Sequence, residues 1–101
     1  MPIFEFLGII FEWHDPKFEL VNKERGYTIE EIASVFDDDY SVTVDDIGGD
    51  YGEQRLLTTG MSNQFRLITV SWVERGDTVR IITAFSPSKE QKRRYEYAKR
   101  P

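Results

Sequence analysis

Two β-forming runs, residues 65–74 and 78–85, meet at the short turn Glu74-Arg75-Gly76-Asp77. So short a connection favours antiparallel neighbours, which commits the chain to a sheet built around this hairpin. The second run passes directly into Ser86-Pro87-Ser88 and then a basic helix. The upstream half reads as cover for this unit, or as the wall of a cleft beside it.

Taken in order, residues 3–13 are apolar and aromatic, broken by Glu5 and Glu12, and read as one strand kinked at Gly8. This run is too short to span a bilayer and lacks a basic leader. His14-Asp15-Pro16 is a turn into a helix, with Asp15 suited to the N-cap and Pro16 to the first helical position. Phe18 and Val21 share a face of that helix, and Gly26 ends it after Arg25. Thr28-Ile29-Glu30-Glu31 spells a capping box, in which Thr28 caps the N3 amide and Glu31 reaches back. Ile29, Ile32, Ala33 and Phe36 then form one apolar stripe. Asp37-Asp38-Asp39 oppose the helix dipole and stop it. Residues 40–44 and 54–59 read as short strands. Residues 45–52 between them form an acidic, glycine-rich loop expected to be mobile, and Gly60-Met61-Ser62-Asn63 closes the second strand. The last helix opens with Ser86 and Pro87, or with Ser88 paired to Gln91.

The predicted fold is α+β, one domain over residues 1–101, in the order β-α-α-β-β-β-β-α. Its sheet is twisted and mainly antiparallel, with helices chiefly on one face. With no cysteine, disulfides and thiolate metal sites are excluded, and a cytoplasmic location fits that count.

Charge is divided along the chain. Residues 1–53 carry 14 acids and 3 bases, whereas residues 54–101 carry 4 acids and 10 bases. The total of −5 argues mildly against a nucleic-acid partner, yet a fold that separates the halves has a basic surface that attracts phosphates. The other reading is that the halves attract each other and the field cancels.

Candidate chemistry is narrow. Asp37, Asp38, Asp39, Asp45, Asp46 and Asp50 do not follow the spacing of a calcium loop, so they read as a solvated acidic rim and no metal or cofactor is expected. Gly48-Gly49-Asp50-Tyr51-Gly52 lacks the Lys-Ser/Thr of a phosphate loop and reads as a flexible loop. His14, the only histidine, is either a general base or an inert residue at a strand-to-helix turn. Arg55, Arg66 and Arg80 lie in strands of β-formers, where each pairs with a carboxylate or lines a polar cleft. On strict alternation Arg80 shares its face with Ile82 and Ala84, while Val79, Ile81, Thr83 and Phe85 point the other way. Several arginines followed by a basic helix suit a groove for a polyphosphate backbone, which marks Arg66, Arg75, Lys89, Lys92 and Arg93 as RNA-binding candidates.

Several short segments, in this order and spacing, resemble the BrnT toxins. They are Phe11-Glu12-Trp13, Asp15-Pro16-Lys17, Gly26, the helix from Ile29 to Asp38, Arg55, Gly60, the hairpin from Glu74 to Ala84, and Tyr95-Glu96. The resemblance implies a fold akin to the RelE-type ribonucleases and an RNA-cleaving toxin of a toxin–antitoxin pair. It also implies neutralisation by a BrnA-like ribbon-helix-helix antitoxin, itself a DNA-binding dimer, and hence an indirect association with DNA. On this reading Lys17, Arg25, Arg55 and Arg80 contact phosphate or stabilise charge while the RNA 2′-hydroxyl attacks the adjacent phosphate. Relative to the family pattern the Asp15-Pro16 pair is displaced by one position and residues 3–10 are an extension, and three further departures fall on side chains that would most readily take catalytic roles. The usual Lys-His-Gly is Glu24-Arg25-Gly26, the usual Ser-Ala-Arg is Thr83-Ala84-Phe85, and a glutamate of the last helix is Gln91. Arginine, with a pKa above about 12, is a poor proton acceptor, and Gln91 does not titrate. Two further readings therefore stand beside the nuclease: a catalytically weakened relative that acts only by binding an antitoxin-like repressor, and a small RNA-binding module.

Overall fold

The computed structural model describes residues 2–47 and 53–100. Nine elements follow one another: β1 (Ile3–Phe6), β2 (Ile9–Trp13), α1 (Asp15–Arg25), α2 (Ile29–Val35), β3 (Val42–Asp46), β4 (Arg55–Met61), β5 (Leu67–Arg75), β6 (Thr78–Phe85) and α3 (Lys89–Ala98). The six strands make one sheet in the order β1-β2-β6-β5-β4-β3, in which only β2 and β6 run parallel. The class is α+β and the sheet is mainly antiparallel, as expected. Among the described residues no helix is long and apolar enough to cross a membrane.

The first run is a hairpin of two strands rather than one kinked strand. Leu7 and Gly8 both adopt positive φ, 51° and 81°, as a two-residue connection between twisted strands requires. Leucine is an unusual residue there, which is why the turn carries no sequence signature. The helix after it starts one residue earlier than expected. His14 occupies the N-cap without a side-chain cap, Asp15 is already helical, and Gly26 at φ 73° terminates the helix as predicted. Thr28 caps α2 through the Glu31 amide, but the Glu31 carboxylate turns elsewhere, so the reciprocal arm of the capping box is not made. Of the two proposed openings of α3, Ser88 with Gln91 is the one formed, and both of its hydrogen bonds are present. Asp45 and Asp46 belong to β3, and Gly60 and Met61 to β4, rather than to loops. The expected flexible segment Gly48-Gly49-Asp50-Tyr51-Gly52 lies outside the described residues.

A bulge in β6 decides which side chains face the core. Trp72 pairs with Ile81 and Ser71 with Thr83, so Ile82 is the extra residue. Alternation resumes one residue out of phase. Val79, Ile81 and Ala84 therefore share the core face, and Arg80 shares the other with Thr83 and Phe85, which reverses the expectation of strict alternation. Phe11 and Trp13 of β2, Ile68 and Val70 of β5, and Ile32, Ala33 and Val35 of α2 complete the core. Phe36 sets its ring against both Phe11 and Trp72, and Phe18 of α1 tilts against Trp13. Thus α1 and α2 cover one face of the sheet. Helix α3 covers part of the opposite face, where Gln91 receives a hydrogen bond from Thr69 at 3.1 Å.

The α2–sheet contact is close at Gly60. A Cβ at that position would stand 3.0 Å from both Cγ1 and the carbonyl oxygen of Val35, and 3.1 Å from Cβ of Ser41. Because two backbone segments would have to part, Gly60→Ala should cost about 1–3 kcal/mol. The expected observation in urea is a lower unfolding midpoint with an unchanged slope.

Candidate active site

The face that α3 only partly covers gathers charge in a single row across the sheet. Glu12 of β2 pairs in register with Arg80 of β6, and Arg80 with Val73 of β5. One residue beyond the Leu56–Trp72 pair, Arg55 of β4 comes beside Val73, and Arg55 in turn pairs with Asp46 of β3. With strands spaced roughly 4.8 Å apart, Arg80 and Arg55 stand about 10 Å from one another at the backbone. Both are half-buried, and Val73 between them is buried. Among the described residues Arg80 makes no hydrogen bond or ion pair, so its donors are open to an anion. The next pair along this face holds Arg75, which meets Glu53 at 3.4 Å beside the hairpin turn.

The other candidates are distributed. Arg25, at the end of α1, donates from Nη1 to the Ala84 carbonyl at 2.5 Å and weakly to the Thr83 hydroxyl at 3.4 Å. It thereby anchors α1 to β6 and stands next to a hydroxyl of the arginine face. Lys17 is exposed on α1, whose helix covers the other face of the sheet, so it is not brought beside Arg80. Lys89, Lys92 and Arg93 are exposed on α3 and extend the positive surface along the helix. His14 is exposed at the head of α1. Glu12 and Asp46, absent from the expected set, flank the arginines. No short-range signal shows which strands adjoin them.

Arg66 has a different position. Its guanidinium grips the buried Glu31 carboxylate through Nε and Nη2, donates to the Gly26 carbonyl at 3.0 Å and lies over the Tyr27 ring. Ser62 donates to the same carboxylate at 2.7 Å. Burial acts to raise the Glu31 pKa, but the hydrogen bonds from Arg66 and Ser62 and the Arg66 charge outweigh it and hold the group below its ordinary range. Asp38, expected in a solvated rim, is a second junction. It accepts from the Met61 amide at 2.8 Å, the Tyr95 hydroxyl at 2.6 Å and the Tyr40 amide at 3.1 Å. Burial again opposes these bonds and the Lys99 charge, and the bonds prevail, so the Asp38 pKa is lowered. Burial, with the Asp38 carboxylate beside it, pushes the Tyr95 hydroxyl well above the usual phenol range.

An open sheet face on which the Arg80 guanidinium has no partner among the described residues suits a phosphate backbone. The model of the family described as "Ribonuclease toxin, BrnT, of type II toxin-antitoxin system" matches residues 13–91. The chain belongs to the BrnT family. The match runs from the end of β2 into the first turn of α3 and so takes in Arg25, Arg55 and Arg80. No curated protein gives a match. BrnT membership indicates a ribonuclease toxin, with RNA as target and an antitoxin as partner.

Both lowered carboxylates link stability to pH with the same sign. A depressed folded pKa contributes stability that is complete above the unfolded value, about 4, and is lost as pH falls through the folded one. The melting-temperature gap between wild type and Glu31→Gln, and likewise Asp38→Asn, should be widest near neutrality and should close as the solution is acidified below about pH 4.

Proposed function

We propose that this chain is an RNA endonuclease toxin that cleaves by attack of the ribose 2′-hydroxyl on the adjacent phosphate, without a metal ion. The observation that carries the reading is Arg80, half-buried on an open sheet face and without a protein partner among the described residues. Arg80 binds the scissile phosphate and stabilises the negative charge that develops on it; fixed donors aimed at such charge supply large rate effects. Arg55, two strands away, binds a neighbouring phosphate, and Arg75 and the α3 bases Lys89, Lys92 and Arg93 guide the strand beyond it. Arg25 adds charge beside Thr83, and Lys17 a more distant contact. Arg66, exposed on one side of its ion pair, borders the RNA path. The antitoxin is a BrnA-like ribbon-helix-helix protein through which the toxin associates indirectly with DNA, and the pair acts in the cytoplasm.

A second reading is favoured by Gln91. Its carboxamide oxygen accepts both the Ser88 amide and the Thr69 hydroxyl, so this side chain is a structural cap rather than a proton carrier. On that reading the chain binds the antitoxin and cleaves weakly or not at all.

Expression with and without the antitoxin separates the two. The nuclease reading expects growth arrest and fragmented RNA from the toxin alone, relieved by the antitoxin; unimpaired growth and intact RNA from folded protein would sink it. Arg80→Ala should slow cleavage by about 10²–10³-fold. It should also reduce the slope of log affinity against log salt by about 0.7, the contribution of one phosphate contact on a single strand.

A further inference from the structure

Cleavage by a 2′-hydroxyl needs a group that takes its proton, and the arginine face offers few. The chain's only histidine, His14, is at the head of α1. Glu31 and Asp38 are engaged in the junctions described above. Asp46, opposite Arg55, is likewise already engaged. Glu5 is exposed on β1, beyond Ile10 and away from the row of arginines. Glu12 remains. It is half-buried, makes no hydrogen bond or ion pair among the described residues, and is the register partner of Arg80 across the parallel β2–β6 pair.

This placement matches a geometric demand of the reaction. The attacking hydroxyl belongs to the ribose that carries the phosphate it attacks, so the base and the phosphate-binding cation must stand side by side. Adjacent strands are roughly 4.8 Å apart, and residues paired in register send their side chains to the same face.

We propose that Glu12 is the proton acceptor for the RNA 2′-hydroxyl, a role that rests on the nuclease reading above. The proton passes from the 2′-hydroxyl to a Glu12 carboxylate oxygen as the 2′-oxygen forms its bond to phosphorus. The bond from phosphorus to the 5′-oxygen breaks, and its electron pair leaves on that oxygen, which takes a proton from water. The products are a 2′,3′-cyclic phosphate and a 5′-hydroxyl end. Glu12 returns its proton to solvent. Arg80 meanwhile holds the phosphate oxygens, and Ile3, paired with Glu12 on the far side, supplies no competing charge.

The test compares wild type, Glu12→Gln and Glu5→Gln in single-turnover cleavage of an RNA oligonucleotide. Binding is read separately on the same sequence with 2′-O-methyl groups, which cannot react. Glu12→Gln should cleave about 10²–10⁴-fold more slowly, the usual contribution of a positioned general base, with binding within about twofold of wild type and an unchanged melting temperature. Glu5→Gln should cleave as wild type does. An active wild type with an equally active Glu12→Gln overturns the role of Glu12 alone. Loss of binding in parallel with cleavage also overturns it, because Glu12 would then be orienting Arg80 rather than accepting a proton. A folded wild type that binds RNA but does not cleave it overturns the nuclease reading and this role together.

Discussion

Strand β6 is the member on which the rest of the structure depends. It is paired along both edges, antiparallel to β5 and parallel to β2, so it joins the N-terminal hairpin to the C-terminal meander. Its two ends make different demands. The first half must set Val79 and Ile81 under α1 and α2, and the second must bury Ala84 against Val70. Three apolar positions at uneven spacing cannot share one face of a regular strand. The extra residue at Ile82 reconciles them, and the same adjustment leaves Arg80 and Thr83 together on the opposite side. The core and the candidate active site are thus two faces of one irregularity.

Polar side chains fasten the layers where the apolar core thins out. Glu31 leaves α2 to meet Arg66 and Ser62 at the β4–β5 connection, and Asp38 just beyond α2 meets the end of β4 and the middle of α3. Each carboxylate draws donors from segments distant in sequence. Stripping either of its partners would leave a charge with incomplete solvation, which is why such junctions fix relative position more firmly than their net energy suggests. Helix α3 has Tyr95 as its one buried side chain, and the bond from that hydroxyl to Asp38 ties a very polar helix to the sheet.

Local chemistry was legible and non-local pairing was not. The hairpin at Gly76, the Gly26 terminator, the Thr28 cap and the Ser88–Gln91 cap each depend on residues within a few positions, and all four are present. The Leu7-Gly8 turn is not legible in this way, because leucine supplies none of the usual preference for positive φ. The Ile82 bulge has no such signature, because the run alternates acceptably without it. Arg55 and Arg80 could be singled out as arginines in strands, but only the strand order puts them in one row. The same holds for the pairing of Glu12 with Arg80: the two are 68 residues apart, across a parallel pairing that no short motif encodes.

The cap at the start of α3 has a bearing on how the chain can vary. Gln91 uses a single oxygen to receive Ser88 and Thr69, and its amide nitrogen carries neither bond. A glutamate would accept the same two donors with the same oxygen and present its second oxygen in place of the amide. The architecture is therefore indifferent to acid or amide at this position. A lineage can gain or shed an ionisable group at the border of the arginine face by exchanging one terminal atom, leaving helix, cap and sheet as they are.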